Sequence, residues 1–415
     1  MSTPSPQPPN SLLKTKVVKK AIVLGSGLSA SVISLEIVNQ GYDVDLLMPG
    51  NELINLDSYS FPDEHGRRSA VEKMKIIGSS PRIRLHRDCT ITSIDGSPGD
   101  FEITFNEADG NGSVRGGAIV LALDPSPSGI GLGASVVTNS GIRGIIENDA
   151  AIPKVVVFIE GSSTTMSCPA QGTTASIENA LSIKKKRPDA QVYILVRDVG
   201  APGFFERTYQ IAQEKGIVFF RGDFSYRQSL GGSGSLIAMD PVVGEVNIHA
   251  DLIVRDEGFD LGSNPILARK LGLYLSQEGQ PPRFNTRLHP GETIREGIFV
   301  SRGLGASILA SENFSEACAV ASTTSELLSK EFLEHGAEVA FVDKEKCSAC
   351  LACVRICPYD APLIGDKGKA EIQVAKCQAC GMCVSLCPSK AIDQRNWTDA
   401  QLSAQIVIAS KGDSR

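Results

Sequence analysis

"AIVLGSGLSASVISLEIVNQGYDVDLLMPG", residues 21–50, decides the fold. An apolar strand runs into Gly25-Ser26-Gly27-Leu28-Ser29-Ala30, an apolar helix is expected over 28–40, and a second strand over 44–48. This is the strand, glycine turn, helix and strand of a dinucleotide-binding unit, G-x-G-x-x-A. Gly25 permits the tight turn, Gly27 lets backbone approach a pyrophosphate, and Ala30 is small enough for the helix to pack on the strand. The helix N-terminus would face the phosphates with its partial positive charge. The stretch then ends on Met48, where such sites carry an acid for the ribose hydroxyls. Losing those hydrogen bonds removes roughly 1.5–3 kcal/mol, about ten- to a hundredfold in affinity. The residues read as a weakened cofactor site at Gly25, Ser26, Gly27, Ala30 and Met48, with a ligand-free Rossmann-like turn as the alternative.

Outward from this unit, 415 residues leave room for two or three domains, each with its own core. Residues 1–17 are Pro- and Ser-rich without an apolar signal core, and they read as a disordered tail. Residues 18–150 form a first α/β lobe, which also holds the strand-rich "IRLHRDCTITSIDGSPGDFEITFNE" and the buried strand of "GAIVLALDPSPSG". Over 151–284 a second lobe is expected. There "KVVVFIEG", "TASIENALSIKKK", "QVYILVRDV", "FERTYQIAQEKG" and "IVFFRGD" alternate as strand and helix, the pattern of a parallel sheet. A strand, a glycine turn and a long small-residue helix within about 285–335 return to complete the first lobe. The class is α/β, doubly wound. No G-x-G-x-x-G follows "KVVVFIEG", so a nicotinamide nucleotide is not expected in the second lobe.

Eight of the 11 cysteines fall between Cys347 and Cys387. They spell C-x2-C-x2-C-x3-C-P twice: Cys347, Cys350, Cys353, Cys357 and then Cys377, Cys380, Cys383, Cys387, offset by 30 residues throughout. In this spacing the fourth cysteine of each run ligates the other cluster. One 4Fe–4S cluster is therefore assigned to Cys347, Cys350, Cys353 and Cys387, and a second to Cys377, Cys380, Cys383 and Cys357. Zinc pairs stand instead as separated C-x2-C units. A disulfide scaffold belongs to short secreted chains. An α+β dicluster ferredoxin domain is expected over 340–396, with a C-terminal helix and tail over 397–415. From 341 to 395 eight Lys and Arg face six Asp and Glu, so this is not the strongly acidic surface of a diffusing ferredoxin, and a fixed partner is expected.

The remaining features exclude more than they offer. Hydrophobic content of 42% and charge of 21% are ordinary for globular protein, and a net charge of −6 argues against a nucleic-acid partner. No apolar run reaches the roughly 18 residues of a membrane span, and the expected location is the cytoplasm. His65, His86, His249, His289 and His335 show no ligand spacing, "KKKRPD" at 184–189 reads as an exposed helix end, and Cys89 and Cys318 read as core. Cys168 lacks the C-x-x-C of a redox dithiol.

With the glycine turn, the middle stretch "DAQVYILVRDV…FERTYQIAQEKGIVFFRGD", "ETIREGIFVSRG" and the cysteine repeat followed by "NWTDAQLSAQI" in view, the chain resembles the A-type polypeptide of heterodisulfide reductase. The resemblance runs from about residue 18 to the C-terminus. It implies a thioredoxin-reductase-like flavoprotein fold with ferredoxin inserts, bound FAD, and electron transfer among Fe–S and flavin subunits of a soluble complex. It also marks departures: Met48 at the flavin acid, Ala122-Leu123-Asp124 for the usual A-T-G turn, and Glu160, Gly172 and Thr173 at cysteine positions of an additional cluster, which is expected to be missing here. The leading expectation is an electron-relaying complex subunit. The alternatives are a self-sufficient FAD-dependent oxidoreductase of the pyridine nucleotide-disulfide type, with the clusters as outlet, and a purely structural docking subunit.

Overall fold

The structure is a computed structural model that describes residues 13–51, 53, 64–108, 110–122, 126–127, 136–147, 152–160, 169–197, 199–201, 203, 205–228, 234–240, 244–256, 259–260, 264–273, 283–285, 288–301, 310–335 and 338–412. Its first sheet has seven strands in the order Arg283–Asn285, His289–Thr293, Ile298–Ser301, Ala118–Ala122, Lys20–Leu24, Asp43–Leu47, Ile83–His86. The last five run parallel, and a hairpin forms the antiparallel edge. Chain order moves outward from Lys20–Leu24 on one side, then resumes on its other side with Ala118–Ala122. That places a topological switch point at the carboxyl end of Lys20–Leu24, where doubly wound folds hold ligands.

Central strands such as "KAIVL" and "AIVLA" are apolar at nearly every position because both faces are covered. On one face Val23, Val44, Leu46 and Met48 pack with helices Leu28–Asn39 and Ala310–Ser329. On the other, Ile22, Leu24, Leu47 and Ile119 meet Phe101, Ile103 and Phe105 of an antiparallel meander, Thr90–Ser97, Asp100–Glu107 and Gly110–Gly116. The long helix ends on Lys19, whose ammonium donates to the carbonyls of Leu328 (2.6 Å) and Ser329 (3.0 Å), a cation at the negative helix pole.

The second sheet repeats the plan. Five parallel strands stand in the order Val136–Thr138, Leu252–Arg255, Val155–Ile159, Gln191–Val196, Val218–Arg221. Helices Asn139–Glu147, Pro169–Lys186 and Phe205–Glu214 supply the core of one face. The other face packs against Leu236 and Ile248 of a second meander, Asp223–Gln228, Gly234–Asp240 and Gly244–Ala250.

The tail expected through residue 17 is shorter than that. Leu13–Lys16 is a strand, paired antiparallel with Phe332–His335, because its alternating residues meet the chain returning from the long helix. After it comes a small domain built as two matching halves. Strand Ala340–Val342, helix Ala352–Ile356 and strand Pro362–Ile364 recur 30 residues later as Ala370–Ile372, Met382–Ser385 and Ile392–Gln394. The halves exchange partners: Ala340–Val342 pairs with Ile392–Gln394, and Pro362–Ile364 with Ala370–Ile372. A helix, Asp399–Gly412, follows. Among the described residues no helix is long and apolar enough to cross a membrane.

Candidate functional site

The two cysteine runs lie at matching places in the two halves. Each begins beyond the first strand, passes through a short loop and enters the short helix. In the first loop Ala349 (φ 56°) and Leu351 (φ 62°) are left-handed, and in the second Ala379 (φ 53°) and Gly381 (φ 74°) are. Asp360 (φ 51°) and Lys390 (φ 49°) repeat the device three residues after each fourth cysteine. Left-handed backbone at a residue with a Cβ costs about 1–2 kcal/mol and persists only where its surroundings demand it. Alternating it with ordinary backbone turns successive N–H groups toward one concavity, the form of backbone that receives anionic Fe–S groups. Gln394 fixes the second loop by donating from Nε2 to the Ala379 carbonyl at 2.8 Å.

Cys353 and Cys383 are buried, Cys347, Cys357, Cys377 and Cys387 half-buried, and Cys350 and Cys380 exposed. Together with Ala340, Ala370 and Ile392 they make the core of this domain. Burial pushes the Cys383 thiol up to about 12, and Cys377, Cys357, Cys380 and Cys353 add to the rise. Its electrostatic neighbours therefore include Cys357 of the other run, the neighbourhood that crossed ligation requires. Burial also raises Cys353, with Cys347 and Cys350 contributing. At Cys387 burial works upward, yet the Ser389 hydroxyl and the N–H groups of Ala391, Ile392 and Ser389 outweigh it and lower the thiol. The Ala391 N–H reaches the Cys387 sulfur at 3.2 Å. Such donors stabilise thiolate, the form that binds metal.

These residues fit 4Fe–4S groups: eight thiols, two backbone cradles and donors aimed at sulfur. Among the described residues no three His, Cys, Asp or Glu side chains stand as ligands of a single ion. A cubane asks for a wider spread, since each of its irons takes one thiolate.

At the first sheet's switch point, Gly25 has φ +147°, and a Cβ there would run into the Ala122 carbonyl, so the turn needs glycine for its approach to the neighbouring strand. Gly25 and Ser26 are half-buried, Gly27 is the buried N-cap of helix Leu28–Asn39, and Ala30 is fully buried against the sheet. Met48 lies apart from them in role. Its side chain is 0% exposed and packs in the helix-side core, while its N–H and carbonyl bond to His86 O (2.9 Å) and Cys89 N (2.8 Å). The Met48 side chain is thus a core residue, a correction to its place among the cofactor contacts. Two buried hydroxyls border this edge without a hydrogen-bond partner, Ser31 Oγ in the first helical turn and Ser301 Oγ beside Ala122. An orphaned buried hydroxyl costs about 1–3 kcal/mol, and a bound polar group would satisfy it. The turn, the helix N-terminus and the orphans fit a dinucleotide. Leu123 and Asp124 lie outside the described residues.

A further group stands at the second sheet's switch point, between Val155–Ile159 and Leu252–Arg255, and sequence reasoning did not single it out as polar chemistry. Burial pushes Glu160 up to about 8 and Asp256 adds to the rise, against hydrogen bonds from Ser176 and Asn139. A Cβ on Gly172 would strike the Glu160 carboxyl. At two of the positions where the resemblance places cluster cysteines, Glu160 and Gly172, a carboxyl occupies the space. These residues do not fit a thiolate-bound cluster. Cys168 lies outside the described residues.

The comparisons agree with this geometry. Residues 340–388 match the 4Fe-4S dicluster domain family. The chain is 33% identical over 189 residues to the heterodisulfide reductase A-type protein of Archaeoglobus profundus, covering 45% of this chain and 27% of that protein. It is 35% identical over 240 residues to an A-type iron-sulfur polypeptide of CoB--CoM heterodisulfide reductase from Methanopyrus kandleri, covering 55% and 36%. To the A-type polypeptide of the H(2):CoB-CoM heterodisulfide,ferredoxin reductase of Methanothermobacter thermautotrophicus it is 32% identical over 239 residues, covering 56% and 36%. The matched stretch thus spans about a third of the length of these relatives. The body has a thioredoxin-reductase-like fold. It matches thioredoxin reductase of T. acidophilum with a TM-score of 0.52 at 13% identity (74% of this chain, 98% of that one). The Lactococcus lactis enzyme in its FR conformation gives 0.51 at 12% (75% and 99%).

Proposed function

We propose, from the kinship of this chain with the A-type polypeptides of heterodisulfide reductase, that it is an electron-transfer component of a multi-subunit oxidoreductase. It relays electrons through two 4Fe–4S clusters to or from a flavin and partner Fe–S subunits. The observation that carries this reading is the doubled half-domain. Strands, helices, cysteines and left-handed backbone positions all recur at one 30-residue offset, joined to a flavoprotein-like body with a glycine turn at its switch point.

The clusters supply one-electron storage when bound. The chain's own residues do the rest. Cys347, Cys350, Cys353 and Cys387 would hold one, and Cys377, Cys380, Cys383 and Cys357 the other. Backbone N–H groups in the left-handed loops offset negative charge. Gly25, Ser26, Gly27 and Ala30 would admit the FAD pyrophosphate to the first helix. Apolar Met382 and Leu386 stand exposed (41% and 51%) on and just after the second loop's helix. Ile406, Val407 and Ile408 stand exposed on the C-terminal helix. Exposed apolar groups of this kind suit contact with a partner protein.

Anaerobic purification with iron, zinc and flavin analysis tests the reading. About eight irons per chain, noncovalent FAD, and spin-coupled signals in electron paramagnetic resonance after dithionite reduction are expected. Stoichiometric zinc without iron would defeat it. Rapid NADH oxidation by the single chain would instead favour the self-sufficient flavoenzyme.

A further inference from the structure

Arg295 stands where the first lobe meets the ferredoxin domain. It sits in the turn between strands His289–Thr293 and Ile298–Ser301. Thr293 Oγ1 fixes that turn, accepting from the Arg295 N–H at 3.1 Å and donating to the Ile298 carbonyl at 2.8 Å. The guanidinium donates to the Leu271 carbonyl beyond helix Asn264–Lys270. Gly272 follows at φ +66°. A Cβ there would run into the guanidinium and lie 3.5 Å from the Pro358 carbonyl, so the ferredoxin chain closes over the same spot. Burial acts to lower Arg295, and Asp360, Tyr359 and Cys357 of the ferredoxin domain act against it. An arginine stays charged in such a place. A second link runs nearby, from the Glu296 N–H to Gln378 Oε1 at 3.5 Å, and Gln378 lies between Cys377 and Cys380.

We propose that Arg295 is a positioning residue that seats the ferredoxin domain on the first lobe and makes the cluster of Cys377, Cys380, Cys383 and Cys357 the easier of the two to reduce. The inference rests on reading the eight cysteines as two clusters. One electron entering a cluster adds one negative charge, taken from a low-potential reductant, with no bond made or broken. A fixed cation in a half-dry interface stabilises that charge, and the effect falls with distance, so it concentrates on the cluster whose ligand it faces. Because the Cys357 run is the one held against the first lobe, electrons would settle on that side of the domain.

The test is a dithionite titration of the anaerobic full-length chain followed by electron paramagnetic resonance, comparing wild type, Arg295→Gln and Arg295→Lys. The signal altered in Cys357→Ser identifies the cluster concerned. Arg295→Gln leaves Asp360 uncompensated and is expected to lower the reduced-to-oxidised ratio of that cluster roughly tenfold at fixed ambient potential, 59 mV for a one-electron couple. Arg295→Lys keeps most of the wild-type value, since the charge remains. Intact clusters whose potentials do not move, or move together, overturn the role of Arg295. A wild type without iron or signals overturns the cluster reading instead. Should Arg295→Gln fail to fold, Asp360→Asn serves in its place, because Asn tolerates the left-handed backbone at φ 51°. Removing that carboxylate should make the same cluster easier to reduce, and an unmoved potential there also counts against the proposal.

Discussion

Asp45→Asn should destabilise the first lobe, and by more in mild acid than in mild alkali. Asp45 is buried on the second strand of the glycine-turn unit. Its carboxylate accepts from His86 Nε2 at 3.1 Å and pairs with the Lys20 ammonium at 2.9 Å. His86 Nδ1 lies 2.8 Å from Glu107, so the ring stands between two carboxylates. Burial opposes the charge on Asp45, but His86 and Lys20 outweigh it and hold the carboxyl below its ordinary value. The Asp45 hydrogen bond raises His86 above 6.5 against burial, with Glu107 helping. The signs then follow. The Asp45 contribution is present above its unfolded value near 3.8 and is lost as pH falls through the lower folded one. The His86 contribution is complete below 6.5 and is lost as pH rises through the raised folded value. Both are present between those limits.

A hydrogen bond to a charged group contributes about 1.5–3 kcal/mol and a neutral one about 0.5–1.5. Asn keeps an acceptor but no charge, and Lys20 is one-third exposed, which screens its share. A loss of about 2 kcal/mol at pH 5.5, and about half that at pH 8.5, is the expectation. At roughly 2–4 °C per kcal/mol for a unit of this size, the melting temperature falls about 4–8 °C in acid. Thermal melts of wild type and Asp45→Asn across pH 5–9 read this out. An equal shift at both ends would mean that His86 does not titrate against Asp45, and the reasoning would be refuted.

Three further changes probe the same architecture. Cys357→Ser should damage the cluster of Cys377, Cys380 and Cys383 and spare the one built on Cys347, as seen in the resonance signals; damage limited to the Cys347 cluster would sink the crossed assignment. Gly25→Ala should cost about 2 kcal/mol or more, from a Cβ at strained φ and from its collision with Ala122, so a first-lobe melt unchanged from wild type counts against the close approach. Gly27→Val should block flavin retention while leaving iron content intact, and equal flavin content in the two proteins would leave the turn without a ligand role.

What could be read from the sequence follows from how local each constraint is. The cysteine repeat was readable because cluster ligation imposes short, fixed spacings, and the same holds for Gly25 and Ala30, whose size is dictated by a turn and a helix contact a few residues away. The alternating strands and helices of both lobes were readable because parallel strands buried on both faces are continuous apolar runs. The second meander was missed. Its strands carry Gly234, Gly244 and alternating polar residues, and they become a sheet only by covering Val157, Ile159 and Leu195. Leu13–Lys16 was read as tail because four alternating residues form a strand only when Phe332–His335 arrives beside them. Arg295 gave no signal, since its meaning lies in contacts with Leu271 and the stretch after Cys357.

Met48 shows where spacing alone misleads, and it supplies the last prediction. By alignment it stands where a ribose-binding acid belongs, so Met48→Glu reads from sequence as a repair that tightens FAD. The structure opposes that. The side chain is wholly enclosed with Val44, Leu46 and Ile33, and its backbone is fixed on both sides by His86 and Cys89. A glutamate there would enter an apolar core with no partner placed for it, costing several kcal/mol or forcing itself to stay protonated. Met48→Glu should therefore lower the melting temperature of the first lobe and fail to increase bound flavin. Met48→Leu, close in volume and equally apolar, should leave both nearly unchanged. A Met48→Glu protein that melts like wild type and holds FAD more tightly would show that residue 48 can turn out of the core toward a ligand. In that case the pattern of the sequence, and not the packing, would be the better guide to this position.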